Sequence, residues 1–159
     1  MSLALQEYMV REGKTLAIAE SCTGGFLAHL ITRRSGASKY FLGSFITYCN
    51  ELKQSILAVK EHSLQEFGAV SEPIVLEMLE GVFAITKADF GIAVSGIAGP
   101  EGGTEEKPVG TVWVAIGGRG RSPKTFHLRL HGNRDNIIHE AAHLSLSFLY
   151  EKIQGQGCI

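Results

Sequence analysis

The sequence predicts an α/β protein, a three-layer α/β/α sandwich around a mixed sheet of about five strands. Three observations lead there. The hydrophobic period switches back and forth between helical and extended patterns along the chain. The run KTLAIAE at 14–20 is almost wholly apolar, as a strand is when helices cover both faces of its sheet. Finally, 159 residues with 45% hydrophobic and 19% charged side chains suffice for one domain that buries roughly two thirds of its unfolded surface. No repeat and no linker interrupts the pattern, so residues 1–159 read as a single domain.

In chain order, Leu5, Tyr8 and Met9 give the first helix its apolar face, and Gly13 sits where that helix stops. After the strand at 14–20 comes a helix with the face Phe26, Leu27, Leu30 and Ile31. It ends near the turn RRSGAS, and the extended run YFLGSFITYCN completes a βαβ unit. Asn50 is the expected N-cap of a helix through Lys53 and Ile56, and SLQE at 63–66 has capping-box spacing. Ser71 is expected to cap a longer helix whose Ile74, Met78 and Val82 interleave with Val75, Leu79 and Phe83. The strand DFGIAVS runs into the longest loop, GIAGPEGGTEEKPVG. TVWVAIGG and KTFHLRLHG then form a hairpin. A last helix starts near Asn133 and faces inward with Ile137, Ala141, Leu144 and Phe148.

Composition bounds the function. Fifteen basic residues against sixteen acidic ones, a net charge of -1, give no basic field for nucleic acid. No apolar run approaches the roughly 20 residues that cross a bilayer, and MSLALQEYMVREGK reads as an amphipathic helix without a signal cleavage site, so a cytoplasmic protein without a membrane partner is expected. Cys22, Cys49 and Cys158 share no CxxC spacing and read as free thiols. Neither a metal nor a cofactor is indicated. TVWVAIGG and its hairpin partner offer an edge for pairing between subunits, and a homo-oligomer is expected.

In open α/β sheets ligands gather beyond the carboxyl ends of strands, which singles out two loops. ESCTGG sets Ser21, Cys22 and Thr23 side by side at a strand end where a helix begins, a place suited to a phosphate or an oxyanion. The alternative is plain capping by Ser21 or Thr23, with the glycines allowing close packing. The second loop, 95–110, starts at Ser95 and carries Gly96, Gly99, Gly102, Gly103 and Gly110, without either dinucleotide fingerprint. A hydroxyl nucleophile needs a base, and the six histidines form no recognisable triad pattern. Lys53 is the other candidate, in the first turn of a helix whose dipole opposes its charge; a solvated surface lysine is the competing reading.

The segments AESCTGG, FITYCNELKQSIL, GAVSEPIV, VSGIAGPEGGTEEKPVGTVWVA and HGNRD together resemble the CinA C-terminal domain family, the nicotinamide mononucleotide deamidases often called PncC. The resemblance spans nearly the whole chain in order and implies the same three-layer fold. It further implies hydrolysis of the carboxamide of nicotinamide mononucleotide to nicotinate mononucleotide and ammonia, within pyridine-nucleotide recycling. The family's serine, lysine and tyrosine fall on Ser21, Lys53 and Tyr48, so that Ser21 attacks, Lys53 moves the proton, and Tyr48 orients or relays.

Around that core, the amides of Thr23, Gly24 and Gly25 are candidates for the oxyanion or substrate seat, with Cys22 a rival nucleophile. Arg134, at the start of the last helix, suits a phosphate, or else pairs with Asp135 or Glu101. The loop from Ser95 through Gly96 and Gly99 to Gly110 is expected to wrap the ribose or ring, stiffened by Pro100 and Pro108. Asn133 stands where the family often has Asp, and Cys49 where it often has a small polar residue. Two other readings stay open: a nucleotide-binding or assembly module without turnover, tied to competence or DNA damage, and a hydrolase of another small amide or nucleotide.

Overall fold

The computed structural model describes residues 2–155, and Cys158 lies outside them. The described residues form six α-helices and five strands in the order α1 (Ser2–Arg11), β1 (Leu16–Glu20), α2 (Phe26–Thr32), β2 (Phe41–Ile46), α3 (Asn50–Leu57), α4 (Glu61–Phe67), α5 (Glu72–Thr86), β3 (Phe90–Gly96), β4 (Thr111–Gly118), β5 (Lys124–Arg129) and α6 (Arg134–Gly155). The sheet order is β2-β1-β3-β4-β5. β2, β1 and β3 run parallel, β4 is antiparallel to β3, and β5 is antiparallel to β4. This is the mixed five-strand sheet the periodicity predicts. TVWVAIGG itself is β4, enclosed between β3 and β5; the open edges belong to β2 and β5.

The two faces of the sheet carry different side chains, and that difference sets the two helix layers. Leu16 and Ile18 of β1, Ile92 and Val94 of β3, and Val112, Val114 and Ile116 of β4 pack with α1, α2 and α6. The opposite face offers Ala17, Ala19, Ala93 and Ala115 to α5 and its neighbours. Gly91 extends this small-residue floor, since a Cβ there would lie 2.6 Å from Leu79 Cδ1. Strands alternate their side chains between faces, so bulk on one side and alanine on the other bring α5 close down onto the sheet. In α6, Ile137 and Ala141 are buried as expected, while Leu144 and Phe148 are only half-buried and Ala142, Leu146 and Leu149 complete the inner face.

Several helix starts depart from the sequence expectation. Cys49, not Asn50, occupies the cap position of α3 and makes no side-chain cap. Ser63 lies inside α4 and donates to Glu77 Oε1 at 2.6 Å, so SLQE forms no capping box. Ser71 does hold the cap position of α5, but its hydroxyl donates backward to Gly68 O at 2.8 Å. Ser63 is held by a carboxylate of α5 and Ser71 by the carbonyl three residues before it, and neither caps a helix with its side chain. At α6 the cap is reciprocal: Asn136 N donates to Asn133 Oδ1 at 2.9 Å, and Asn133 N donates to Asn136 Oδ1 at 3.2 Å. Asn133 therefore serves the helix.

Candidate active site

The parallel strands β1, β2 and β3 end together, and the crevice beyond them is where an open α/β sheet places its chemistry. Ser21 follows β1 directly. Its amide continues the ladder to Val94 O at 3.0 Å, so the sheet fixes the backbone of the nucleophile candidate. Lys53, in the first turn of α3, is 1% exposed and reaches back under the loop that follows β2. Its Nζ lies 2.8 Å from Thr47 O, 3.3 Å from Tyr48 O and 3.1 Å from Ser21 Oγ. Three acceptors match the three protons of an ammonium. After one proton leaves, the two carbonyls still take both remaining N–H groups, and the lone pair faces the Ser21 hydroxyl. The cage thus accommodates both states of a base.

Burial lowers the Lys53 pKa from its ordinary value, because the charged form loses solvation; Cys49, Cys22 and Glu51 oppose this in part. Cys22 moves the other way. Burial, aided by the charge of Glu20, pushes its thiol up to about 12, against smaller opposing effects of its own amide, Lys53 and Arg134. A thiol so protonated is a poor nucleophile, and its sulfur fills the space that a side chain at Gly96 would enter, 3.1 Å from that virtual Cβ. Burial therefore weighs against Cys22 as the rival nucleophile, and the Lys53 amine lies within hydrogen-bond distance of Ser21 Oγ.

The start of α2 is not the open anion seat that ESCTGG suggests. Glu20, fully buried, turns its carboxylate into it. Gly25 N and Leu27 N donate to Glu20 Oε2 at 3.0 and 3.1 Å, and Ala28 N donates to Oε1 at 3.0 Å. Thr23 Oγ1 donates to Oε2 at 2.7 Å, and Ser44 Oγ to Oε1 at 2.9 Å. Gly24 N is turned onto Ser21 O at 3.0 Å. Of the three candidate donors Thr23, Gly24 and Gly25, only Thr23 keeps an amide with no acceptor among the described residues. Sequence reading passed over Glu20, whose donors lie up to 24 residues away in the chain.

The cavity over Ser21 and Lys53 measures about 260 Å³ and is lined by Tyr48, Ser95, Gly96, Gly99 and Arg134 among others. Thr23, Gly24, Gly25 and Gly110 do not line it. Gly110 instead lets the loop close against Leu130, whose carbonyl oxygen would lie 1.9 Å from a Cβ there. Ser95 donates to Ala69 O at 2.8 Å, which ties the end of β3 to the segment before α5. Arg134 pairs with neither Asp135 nor Glu101. It donates from Nη1 to Gly99 O at 2.6 Å and from Nη2 to Tyr48 Oη at 2.8 Å. Tyr48 therefore presents its carbonyl to Lys53 and its phenol to Arg134, a clasp across the rim.

Asn50, Ala69, Val70, Ile97 and Ala98 also line the cavity, though no local pattern marks them. The histidines stay out of it: His29, His139 and His143 surround Phe26, with His139 stacked on that ring at 4.2 Å. Among the described residues no group of three or more His, Cys, Asp or Glu is placed to hold a metal ion. No helix among them is long and apolar enough to cross a membrane.

The sequence and fold both have known relatives. The nicotinamide-nucleotide amidohydrolase PncC of Escherichia coli K12 is 44% identical over 140 residues, which are 88% of this chain and 85% of that protein. A CinA-like protein of Leptospira biflexa is 40% identical over 152 residues, 96% of this chain. The chain spans only 36% of that longer relative. Among solved structures, the competence damage-inducible protein A of Klebsiella pneumoniae superposes with a TM-score of 0.92 at 35% identity, over 96% of this chain and 94% of that one. A competence/damage inducible protein of Agrobacterium tumefaciens gives 0.92 at 34% identity, over 94% and 92%. The model of the CinA C-terminal domain matches residues 1–153, and this chain belongs to that family.

Proposed function

We propose that the chain hydrolyses the carboxamide of nicotinamide mononucleotide, releasing ammonia and nicotinate mononucleotide. The observation that carries this reading is the buried Lys53 amine 3.1 Å from Ser21 Oγ, at the floor of a cavity of about 260 Å³. The PncC relative, named for nicotinamide-nucleotide amidohydrolysis, supports the substrate class.

Lys53 takes the proton of Ser21 as Oγ bonds to the carboxamide carbon, giving a tetrahedral oxyanion. The amide of Cys22, next to the nucleophile and in the cavity lining, is a donor without a backbone acceptor and is suited to steady that charge. Collapse breaks the carbon–nitrogen bond, and the Lys53 ammonium hands its proton to the departing nitrogen, which leaves as ammonia. Water then adds to the Ser21 ester, losing its proton to Lys53. The ester bond breaks, Ser21 regains a proton from Lys53, and nicotinate mononucleotide departs.

Arg134 spends two donors on Gly99 O and Tyr48 Oη and keeps three, which suits it to the substrate phosphate at the rim. Its bond to Tyr48 links phosphate binding to the segment whose carbonyls hold Lys53. Ammonia release from nicotinamide mononucleotide, without added metal, tests the reading. Ser21→Ala and Lys53→Ala are each expected to lose about 10²- to 10⁴-fold in kcat, and Cys22→Ala to stay within a few-fold of wild type. Binding of the nucleotide without turnover in the wild-type protein would reject the enzyme.

A further inference from the structure

We infer that Glu20 is the positioning residue of this site, its carboxylate holding the Ser21 turn and the Lys53 platform in one frame. This rests on Ser21 being the nucleophile. Glu20 itself touches no reacting atom.

All five groups around the carboxylate are available as donors, and three of them, the amides of Gly25, Leu27 and Ala28, have no alternative. Both carboxyl oxygens of Glu20 act as acceptors, Oε2 for three of these donors and Oε1 for two. The Thr23 hydroxyl closes the turn from within, and Gly24 N on Ser21 O closes it from the backbone. Ser21 is therefore held between the sheet, through Val94 O, and the carboxylate cage, through Thr23.

The same residue reaches the base. Ser44 Oγ binds the carboxylate from β2. Just beyond β2, Thr47 N donates to Glu20 O at 2.9 Å, and Thr47 O accepts from Lys53 Nζ at 2.8 Å. Side chain and carbonyl of one residue thus fix the spacing between nucleophile and proton acceptor. A misplacement of about 1 Å at such a pair costs on the order of 10²-fold in rate. By filling the α2 start with its own charge, Glu20 also directs an anionic substrate group away from that helix and toward the rim.

The experiment compares wild type, Glu20→Gln and Thr23→Val, each checked for folding by circular dichroism. One readout is turnover of nicotinamide mononucleotide. The other, independent of that substrate, is labelling by a fluorophosphonate: Ser21 Oγ bonds to phosphorus, the phosphorus–fluorine bond breaks, fluoride leaves, and Lys53 receives the proton. In Glu20→Gln an amide group faces donors in the cage. We expect kcat to fall about 10- to 100-fold with KM within about twofold, labelling to slow in parallel, and the midpoint of the pH–kcat profile to stay in place. Thr23→Val is expected to slow both several-fold, and it carries the test should Glu20→Gln not fold.

A folded Glu20→Gln with wild-type kcat and labelling overturns the inference. So does a loss matching only the unfolded fraction. Wild-type protein that labels at Ser21 yet releases no ammonia rejects the deamidase reading alone; slower labelling in Glu20→Gln would still uphold the positioning role.

Discussion

Lys53 is nearly sealed from water, in a cage of two carbonyls and a hydroxyl, and its pKa lies below the ordinary lysine value of 10.5. Two pH effects follow, with signs fixed by that direction. The base must be neutral to accept the Ser21 proton, so kcat is expected to rise with pH through the lowered pKa and level off above it; a profile flat through neutral and alkaline pH would remove Lys53 from the role. For stability, the unfolded chain binds a proton at Lys53 that the folded chain has lost, throughout the window between the lowered pKa and 10.5. Unfolding free energy from this group therefore rises with pH across the window, by up to about 1.4 kcal/mol per pH unit. Lys53→Met has nothing to titrate there. The difference between the two proteins in urea unfolding should grow with pH inside the window and stay constant below it.

Among the elements, α3 and α6 bear most directly on the site, one carrying Lys53 and the other Arg134. The end of α3 is pressed against α5 where Gly81 lies, and a Cβ at that position would meet Leu57 O at 2.2 Å. Backbone cannot give way as a side-chain tip does. Gly81→Ala is expected to cost about 1–3 kcal/mol in denaturant unfolding and, by lifting α3, to slow turnover beyond the loss of folded protein. The start of α6 depends on the Asn133 and Asn136 pair. Asn133→Ala should cost about 1 kcal/mol by loss of the cap and raise KM more than it lowers kcat, since Arg134 is the next residue. A raised kcat effect with unchanged KM would separate Arg134 from substrate binding.

For the whole molecule, the division of the sheet into a bulky and a small face decides how closely the helix layers approach. Ala93→Leu adds volume under α5 where Ala17, Ala19 and Ala115 leave no slack; an overpacking cost of about 1–3 kcal/mol is expected, read as a lower urea midpoint at constant m. The succession of strands and helices along the chain was legible, because hydrophobic periodicity is a local property; the division of the faces was not read, although LAIAE and FGIAVSG alternate large and small side chains. Ser21 and Lys53 stood out as candidates, and the five separated blocks told the family. Caps at Asn50 and Ser63 were misread, since Ser63 found Glu77 across the helix layer. Glu20 was passed over although four of its five donors lie within eight residues; only its tie to β2, through Ser44, is distant in the chain. By itself the sequence determined the layered α/β fold and the family, and it singled out Ser21 and Lys53, which the fold brings to 3.1 Å; Tyr48, carried over by resemblance, turns its phenol to Arg134 instead. Only tertiary structure decided which donors remain free and how deeply each candidate nucleophile is buried. The amides of α2 were taken by a carboxylate, and burial pushed the Cys22 thiol up to about 12. Hydrogen-bond partnership and desolvation depend on what the fold brings alongside a residue, and no stretch of chain contains that information alone.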